Sequence, residues 1–591
     1  MLLEPELAMC TTNQTTPTRA RDKGRAGFAL AAALGVLVLL SVLVVTVFAN
    51  AMASFRSGMT DLGKSRTYYA AEAGAESAMA QLAVALEDAI LEAQELSTIT
   101  APDIAGFTFD SFSVTKIGSV TTERITDGPF AGLYSRTQVV EIHSEAADVD
   151  LNSSAVLVTA KAQAIPIFQF GVFYDKDLEI TNGPRLEFAG WVHSNGNIFL
   201  SSNNQFFQDL VTTPNNVYHD RKDKHRVLPG VWIDDATATS VRLDFDSRDT
   251  PSANAFRAKS DARFDNRLKT NAYGVDSLKV PLPEGMDAIT VMEERKLTDG
   301  SLEKQAKFAW KSDWYITIPL DAITNPATDL CTAMISVRSA GKTLPSQATC
   351  KNIFNLSYDK WYEGRQRNYV DVLDIDLGQL FAWSGADASR IASVLYVNFT
   401  GSAGQDPKGD GTYPIVRLVN GTTIGNPITI ATKHPLYVQK NFNTGVWQPT
   451  ALVGDAIYFL SNAWNDNDHL APTVIKPNAS STTVYAAILA GHAGTPCDHE
   501  APGCGASSPY GGGLENFPRF LERWSGKTFT YRGSLVSLSY AQQATGAWNG
   551  GYYSPPARNW EFDIRFEDPA NLPPGTPVVG NVIHTAIRPV S

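Results

Sequence analysis

From Phe28 to Phe55 the chain runs through 28 consecutive residues without a charged side chain, and the first charge after them is Arg56. As a helix rising roughly 1.5 Å per residue, such a run spans about 42 Å, more than the roughly 30 Å hydrocarbon core of a bilayer. It is read as one membrane crossing. Arg19, Arg21, Lys23 and Arg25 precede it, which favours a cytoplasmic amino terminus, although Arg56, Lys64 and Arg66 follow on the other side. With 591 residues, 43% of them hydrophobic and 19% charged, the chain can build more than one core. Its net charge of -12, with no Lys/Arg-dense stripe, argues against a nucleic-acid partner.

Two kinds of processing compete at this terminus. A secretory signal would end at an Ala-x-Ala site, for which Ala49-Asn50-Ala51 and Ala51-Met52-Ala53 qualify, but its apolar core should span only about 7 to 15 residues. The other reading rests on Arg25-Ala26-Gly27-Phe28, where a short basic polar leader ends in Gly and the apolar run starts at once. This junction resembles the class III leader of type IV pilins and type II secretion pseudopilins. The resemblance implies that a prepilin peptidase cuts after Gly27 and methylates Phe28, leaving the helix on the mature protein.

From Arg56 to Leu96 there is no Pro, and Leu82, Leu86 and Ile90 recur at four-residue spacing, so the helix is expected to continue, with Gly58, Gly63 and Gly74 as candidate bends. Within it, Ala70-Ala71-Glu72-Ala73-Gly74 resembles the amino-terminal segment of PilX-type minor pilins. Major pilins usually carry Glu at the fifth mature position, where it neutralises a neighbour's terminal ammonium; here that position is Ala32. The departure implies a tip or initiator subunit rather than one repeated along a shaft.

Pro102 and a switch to period-two alternation end the helical region. Phe107–Val114, Val139–His143 and Ala155–Ala164 read as an antiparallel sheet, and a long helix laid on such a sheet is what the pilin resemblance implies. The expected division is a leader at 1–27, a transmembrane and amphipathic pilin helix at 28–97, a β headpiece at 98–165 and a large β-rich ectodomain at 166–591. The fold class is α+β, with the distal part mainly β, as a solenoid or a sandwich. Short alternating runs recur there, among them Gly190–Leu200, Ile428–Val438, Ala456–Leu460, Thr483–Leu489 and Phe529–Leu538, without a regular period. Segments such as Phe168–Asp175, Pro435–Gln439 and Gly512–Phe517 resemble large PilX-like proteins with extended β-rich ectodomains. Phe517, Phe520, Leu521 and Trp524 predict one short amphipathic helix beginning at Pro518, with Gly526 as its stop.

Catalytic motifs fail. Gly341-Lys342-Thr343 and Gly526-Lys527-Thr528 end like a phosphate loop, but Ser336 and Leu521 stand where its first Gly must be. No His-Glu-x-x-His or Gly-x-Ser-x-Gly occurs. Asp371, Asp374 and Asp376 alternate with Leu373, Ile375 and Leu377, and read as the wet face of a strand rather than as a glycosidic pair. Asn465-Asp466-Asn467-Asp468 offers hard oxygen ligands, making Asp466 and Asp468 a weak calcium candidate, whereas Asp406–Gly411 has Lys408 at a ligand position. No other cofactor is expected. Cys10 lies in the leader, leaving Cys331, Cys350, Cys497 and Cys504. In an exported domain they suggest disulfides, Cys331 with Cys350 and Cys497 with Cys504 being favoured among three connectivities because close pairs meet first; four free thiols, or zinc held by His492, Cys497, His499 and Cys504, are the alternatives.

The sequence thus reads as a non-enzymatic minor pilin or pseudopilin-like subunit for type IV pilus assembly, priming or the tip. It would be single-pass in the inner membrane with a periplasmic ectodomain, and extracellular after assembly. The implied partners are other minor and major pilins, the prepilin peptidase and the inner-membrane assembly platform. A type II secretion pseudopilin, a tip adhesin and a β-solenoid carbohydrate enzyme are the competing readings.

Overall fold

The structure is a computed structural model and describes residues 26–86, 91–126, 130, 133–278, 286–338, 341–402, 411–473, 476–496, 498, 510–546 and 551–590. Helix α1 runs from Ala26 to Ala85 and is continuous through Gly58, Gly63 and Gly74, so none of the three marks a break. It stops short of residue 97; a separate turn, Ala93–Leu96, follows. Gln81 fastens the returning chain, its Nε2 donating to the Thr100 carbonyl at 2.8 Å and its Oε1 accepting from the Thr100 N–H at 3.1 Å.

Three antiparallel strands succeed the helix: β1 (Phe107–Arg124), β2 (Tyr134–Asp148) and β3 (Ser153–Pro166). In β2 buried and half-exposed residues alternate almost strictly, as period-two patterning requires when only one face packs. The buried face, with Val140, Ile142, Val156, Val158 and Ala160, meets Ala71, Ala75, Ala78 and Leu82 of α1 in one apolar core. The sheet has a fourth strand. It is the C-terminal segment Val578–Val590, which the sequence-based division had left with the ectodomain, and it pairs antiparallel with β3 from Pro166↔Val578 to Ala155↔Val590.

The chain between these two strands is a parallel β-solenoid, not a sandwich. One coil shows the plan: Thr450–Gly454, Ile457–Leu460 and Thr482–Tyr485 each occupy a different sheet, and Ala487–Ala490 then stacks parallel on Thr450–Gly454. Successive coils build an 11-stranded sheet on one side, parallel apart from its last strand, and a seven-stranded one on another. The third side is split into a six-stranded and a three-stranded sheet. Strands buried on both faces explain the continuous apolar runs such as Ile457-Tyr458-Phe459-Leu460, every residue of which is 0% exposed. In-register neighbours stack along the axis: the rings of Tyr437 and Tyr458 lie 4.2 Å apart and nearly parallel, and those of Tyr315 and Tyr396 5.2 Å apart.

The order of coils is not the order of sequence. From Val172–Tyr174 the chain climbs through Val192–Ser194 and Val211–Thr212 to Leu268–Lys269. It then crosses to the other end of the stack, restarts at Trp314–Pro319 and works back until Leu535–Ser537 lies beside Val172–Tyr174. The solenoid is therefore entered and left at one level, in its middle. There Gln169 clamps the junction, its Nε2 donating to the Tyr134 and Pro166 carbonyls and its Oε1 accepting from the Tyr134 N–H at 2.7 Å.

The short helix expected from Pro518 is absent. Pro518–Arg519 is a strand beside Ile457–Tyr458, preceded by a single 3-10 turn at Leu514–Asn516. Phe517, Phe520, Leu521 and Trp524 are buried, but so are Arg519 and Glu522, so the segment has no polar face for a surface helix to present. Cys331 and Cys350 are disulfide-bonded and join the helix Pro326–Ala333 to the helix Gln347–Ile353. Cys497 and Cys504 lie outside the described residues.

Candidate functional site

Helix α1 has two halves with opposite surroundings. From Phe28 to Leu62 every residue is exposed, and Phe28, Leu39, Phe48 and Phe55 show 65% or more of their surface. The helix is long and apolar enough to cross a membrane. Keeping a Leu, Val or Phe in water rather than burying it costs roughly 1.5–3 kcal/mol, so a bare run of this size requires an apolar surrounding outside the chain itself. Through Phe55 it carries no charge: Arg56 is the first charged residue of the run and Asp61 the first carboxylate of α1, and Ala32 is exposed among apolar neighbours.

From Gly63 onward the same helix is seated on the sheet through small residues. Thr67, Ala70, Ala71, Gly74, Ala75 and Ala78 are buried, at the spacing that lines one helix face. The Ala70–Gly74 motif is thereby accounted for residue by residue. Ala70, Ala71 and Gly74 face the sheet, Glu72 is half-buried and Ala73 is exposed. A Cβ on Gly74 would stand 2.4 Å from the Ser144 hydroxyl and 2.6 Å from the Phe109 ring, so only Gly lets the helix lie this close. Thr67 completes the seat with a 2.8 Å hydrogen bond to the Ser154 hydroxyl. Sequence reasoning missed the other side of the seat. Gly580, in the C-terminal strand, brings its backbone so near α1 that a Cβ there would fall 2.1 Å from the Ala83 carbonyl oxygen. A Gly inside an alternating strand was the available signal.

Gly27 lies in the first turn of α1 and Phe28 is 81% exposed, while the leader before Ala26 lies outside the described residues.

The ectodomain carboxylates that sequence singled out are held in structural roles. Asp371 is buried and accepts from the Asp359 N–H at 3.2 Å; Asp376 caps the helix Leu377–Ser384 through the Gln379 N–H at 2.9 Å. Asp374 and Asp466 grip one guanidinium from two sides: Arg417 reaches Asp374 at 2.5 and 2.9 Å and Asp466 at 2.6 and 3.2 Å, while lying over the Trp361 ring. Burial would raise the Asp466 carboxyl, yet hydrogen bonds from Arg417 and Trp464 and the charges of Arg417 and Lys360 hold it below its ordinary value. With both oxygens so occupied Asp466 is a poor calcium ligand, and Asp468 is an exposed residue of the same 3-10 turn. Among the described residues no group of three or more His, Cys, Asp or Glu is arranged to hold a metal ion. The two phosphate-loop lookalikes place Gly341 and Gly526 in left-handed turns. Of the zinc alternative only His492 is described; it is buried, and its Nδ1 lies 2.7 Å from the Ser537 hydroxyl. Asp406–Asp410 also falls outside the described residues.

No family model matches the chain, and no curated protein matches it. Among solved structures, the competence-associated pilin ComZ from Thermus thermophilus is similar at 11% identity, over 89% of this chain and 97% of that one, with a TM-score of 0.26. A likeness this loose adds no weight to the site described above.

Proposed function

We propose that this chain is a pilin-like structural subunit that is anchored in the inner membrane by α1, passes into a type IV filament through the same apolar surface, and carries its solenoid outward. The observation that supports this most directly is the division of α1, exposed through Leu62, uncharged through Phe55, and seated on a four-stranded sheet from Gly63 onward. One helix thus serves both a lipid surrounding and a headpiece. On this reading the leader is removed after Gly27, Phe28 is N-methylated, and the partners are other pilins, the prepilin peptidase and the assembly platform. Ala32 supports a minor position, at the tip or in priming, since a subunit lacking that carboxylate cannot neutralise its neighbour's ammonium inside an apolar core. The role is non-catalytic: Asp371, Asp374 and Asp376 are committed to backbone, guanidinium and helix-cap contacts.

Mass spectrometry of the native amino terminus is expected to find N-methyl-Phe28. A terminus at Met52 or Ser54 would show signal-peptide cleavage and end the pilin reading. Immunogold labelling of native filaments then tests the position, with label expected at tips and even labelling along shafts contradicting it.

A further inference from the structure

On the split face of the solenoid, the ends of Phe354–Ser357 and Leu436–Gln439 and the loop after Ile457–Leu460 enclose a cleft of about 550 Å³. Its size falls within the roughly 300–1,000 Å³ of small-molecule sites. We propose that this cleft binds a short neutral oligosaccharide. The inference does not rest on the filament reading, because the cleft belongs to the solenoid alone.

The lining excludes other classes. Among the described residues Leu470 is the one aliphatic side chain that lines it, which offers a lipid or an apolar peptide anchor little to bury against. Among the described residues no group of three His, Cys, Asp or Glu is arranged for a metal ion, and the oxygens of Asp466 are already held by Arg417 and Trp464. Against an acidic ligand stand Asp359 and Asp466, with Lys360 the only cation lining the cleft among the described residues.

What remains suits vicinal hydroxyls. The side-chain amides of Gln439 and Asn467 have no hydrogen-bond partner among the described residues, and each offers two donors and an acceptor. Tyr358 also lines the cleft; its half-buried ring packs against the solenoid core and is fixed in place by its hydroxyl, which donates to the Ile323 carbonyl at 2.8 Å. The walls are rigid as well: Trp464 is stacked on His469 at 4.2 Å and its indole N–H donates to Asp466. Asp359 and Lys440, flanking Tyr358 and Gln439, sit at φ 45° and 71°, in the left-handed region that non-Gly residues enter at a cost.

Saturation-transfer NMR on the full chain in detergent micelles, with maltotetraose, cellotetraose, mannotetraose and chitotetraose as probes, tests the proposal. At least one is expected to receive saturation, and the double variant Gln439→Ala/Asn467→Ala to weaken its binding tenfold or more with the melting temperature unchanged; both side chains are surface groups, so folding is preserved. Three results would overturn it: no transfer to any of the four at millimolar concentration, transfer undiminished in the double variant, or transfer confined to tetragalacturonate added as the acidic control.

Discussion

A chain ending at Pro577 is expected to lose the headpiece and keep the solenoid. Twelve residues of β3, from Ala155 to Pro166, take their outer partners from Val590 to Val578. At roughly 0.2–1 kcal/mol per cross-strand pair, their loss amounts to about 2–12 kcal/mol, a large share of the roughly 5–15 kcal/mol that holds a domain together. The damage extends to α1, because Val582 packs against the helix–sheet core and Gly580 lies against Ala83. Side-chain links go too: Asn581 donates to the Gln163 side-chain oxygen at 2.9 Å, and Thr585 to the Thr159 carbonyl at 3.1 Å. Hydrogen exchange should show protection across β2 and β3 falling at least a hundredfold while Ile428–Leu460 changes less than twofold. Unchanged protection in β3 would mean that the strand is an accessory. Gly580→Val, which keeps the strand but forces it off the helix, should cost about 3 kcal/mol by overpacking.

Glu522 should contribute stability to the solenoid in mild acid that it loses toward neutral pH, against the buried His193, His434, His469 and His492, whose imidazoles burial holds neutral and whose contribution runs the opposite way. The Glu522 side chain is wholly buried and accepts from the Ser461 N–H at 2.7 Å and the Ser461 hydroxyl at 2.6 Å, with no cation paired to it among the described residues. Burial pushes its carboxyl up to about 7 from an ordinary 4.5, and the Ser461 hydrogen bonds only partly oppose this. A carboxyl raised on folding contributes stability that is fully present below pH 4.5 and is lost as the pH climbs through 7. Taken at face value the shift is worth roughly 3 kcal/mol. Glu515, also pushed up to about 7 by burial, acts in the same direction. Glu522→Gln keeps an acceptor for Ser461 and has no charge to desolvate. It should leave stability at pH 4 nearly unchanged and raise it by roughly 3 kcal/mol at pH 8, as read from denaturant unfolding at both values. Equal wild-type and variant stabilities at pH 8 would show that water or an unseen cation already compensates the charge.

Local signals carried the first third of the molecule. The uncharged run from Phe28, the alternation in Phe107–Val114 and Ala155–Ala164, and the Ala70–Gly74 motif all depend on near neighbours, and each corresponds to an observed element. What stayed hidden depends on distance along the chain. Val578–Val590 alternates like any strand, and nothing in it names a partner more than 400 residues earlier. The coils were recognised only as recurring runs because their corners hold insertions of unequal length: Val172 to Val192 closes a coil in 20 residues, whereas Ile488 to Leu535 takes 47. Phe517, Phe520, Leu521 and Trp524 imitate a helix because a corner buried on all sides places no constraint on period. The cleft proposed for an oligosaccharide draws on three separate segments, 357–360, 439 and 464–470, so no short window of sequence contains it.

Because the chain enters and leaves the stack at one level, beside Pro166 and Val578, neither end of the solenoid is attached to the headpiece. Evolution can therefore lengthen or shorten this molecule at its extremities. A coil duplicated beyond Leu268–Lys269, or deleted near Trp314–Pro319, changes how far the solenoid projects and which loops it displays, while α1 and its seat are inherited untouched. Relatives with quite different solenoid lengths should share the same central coil.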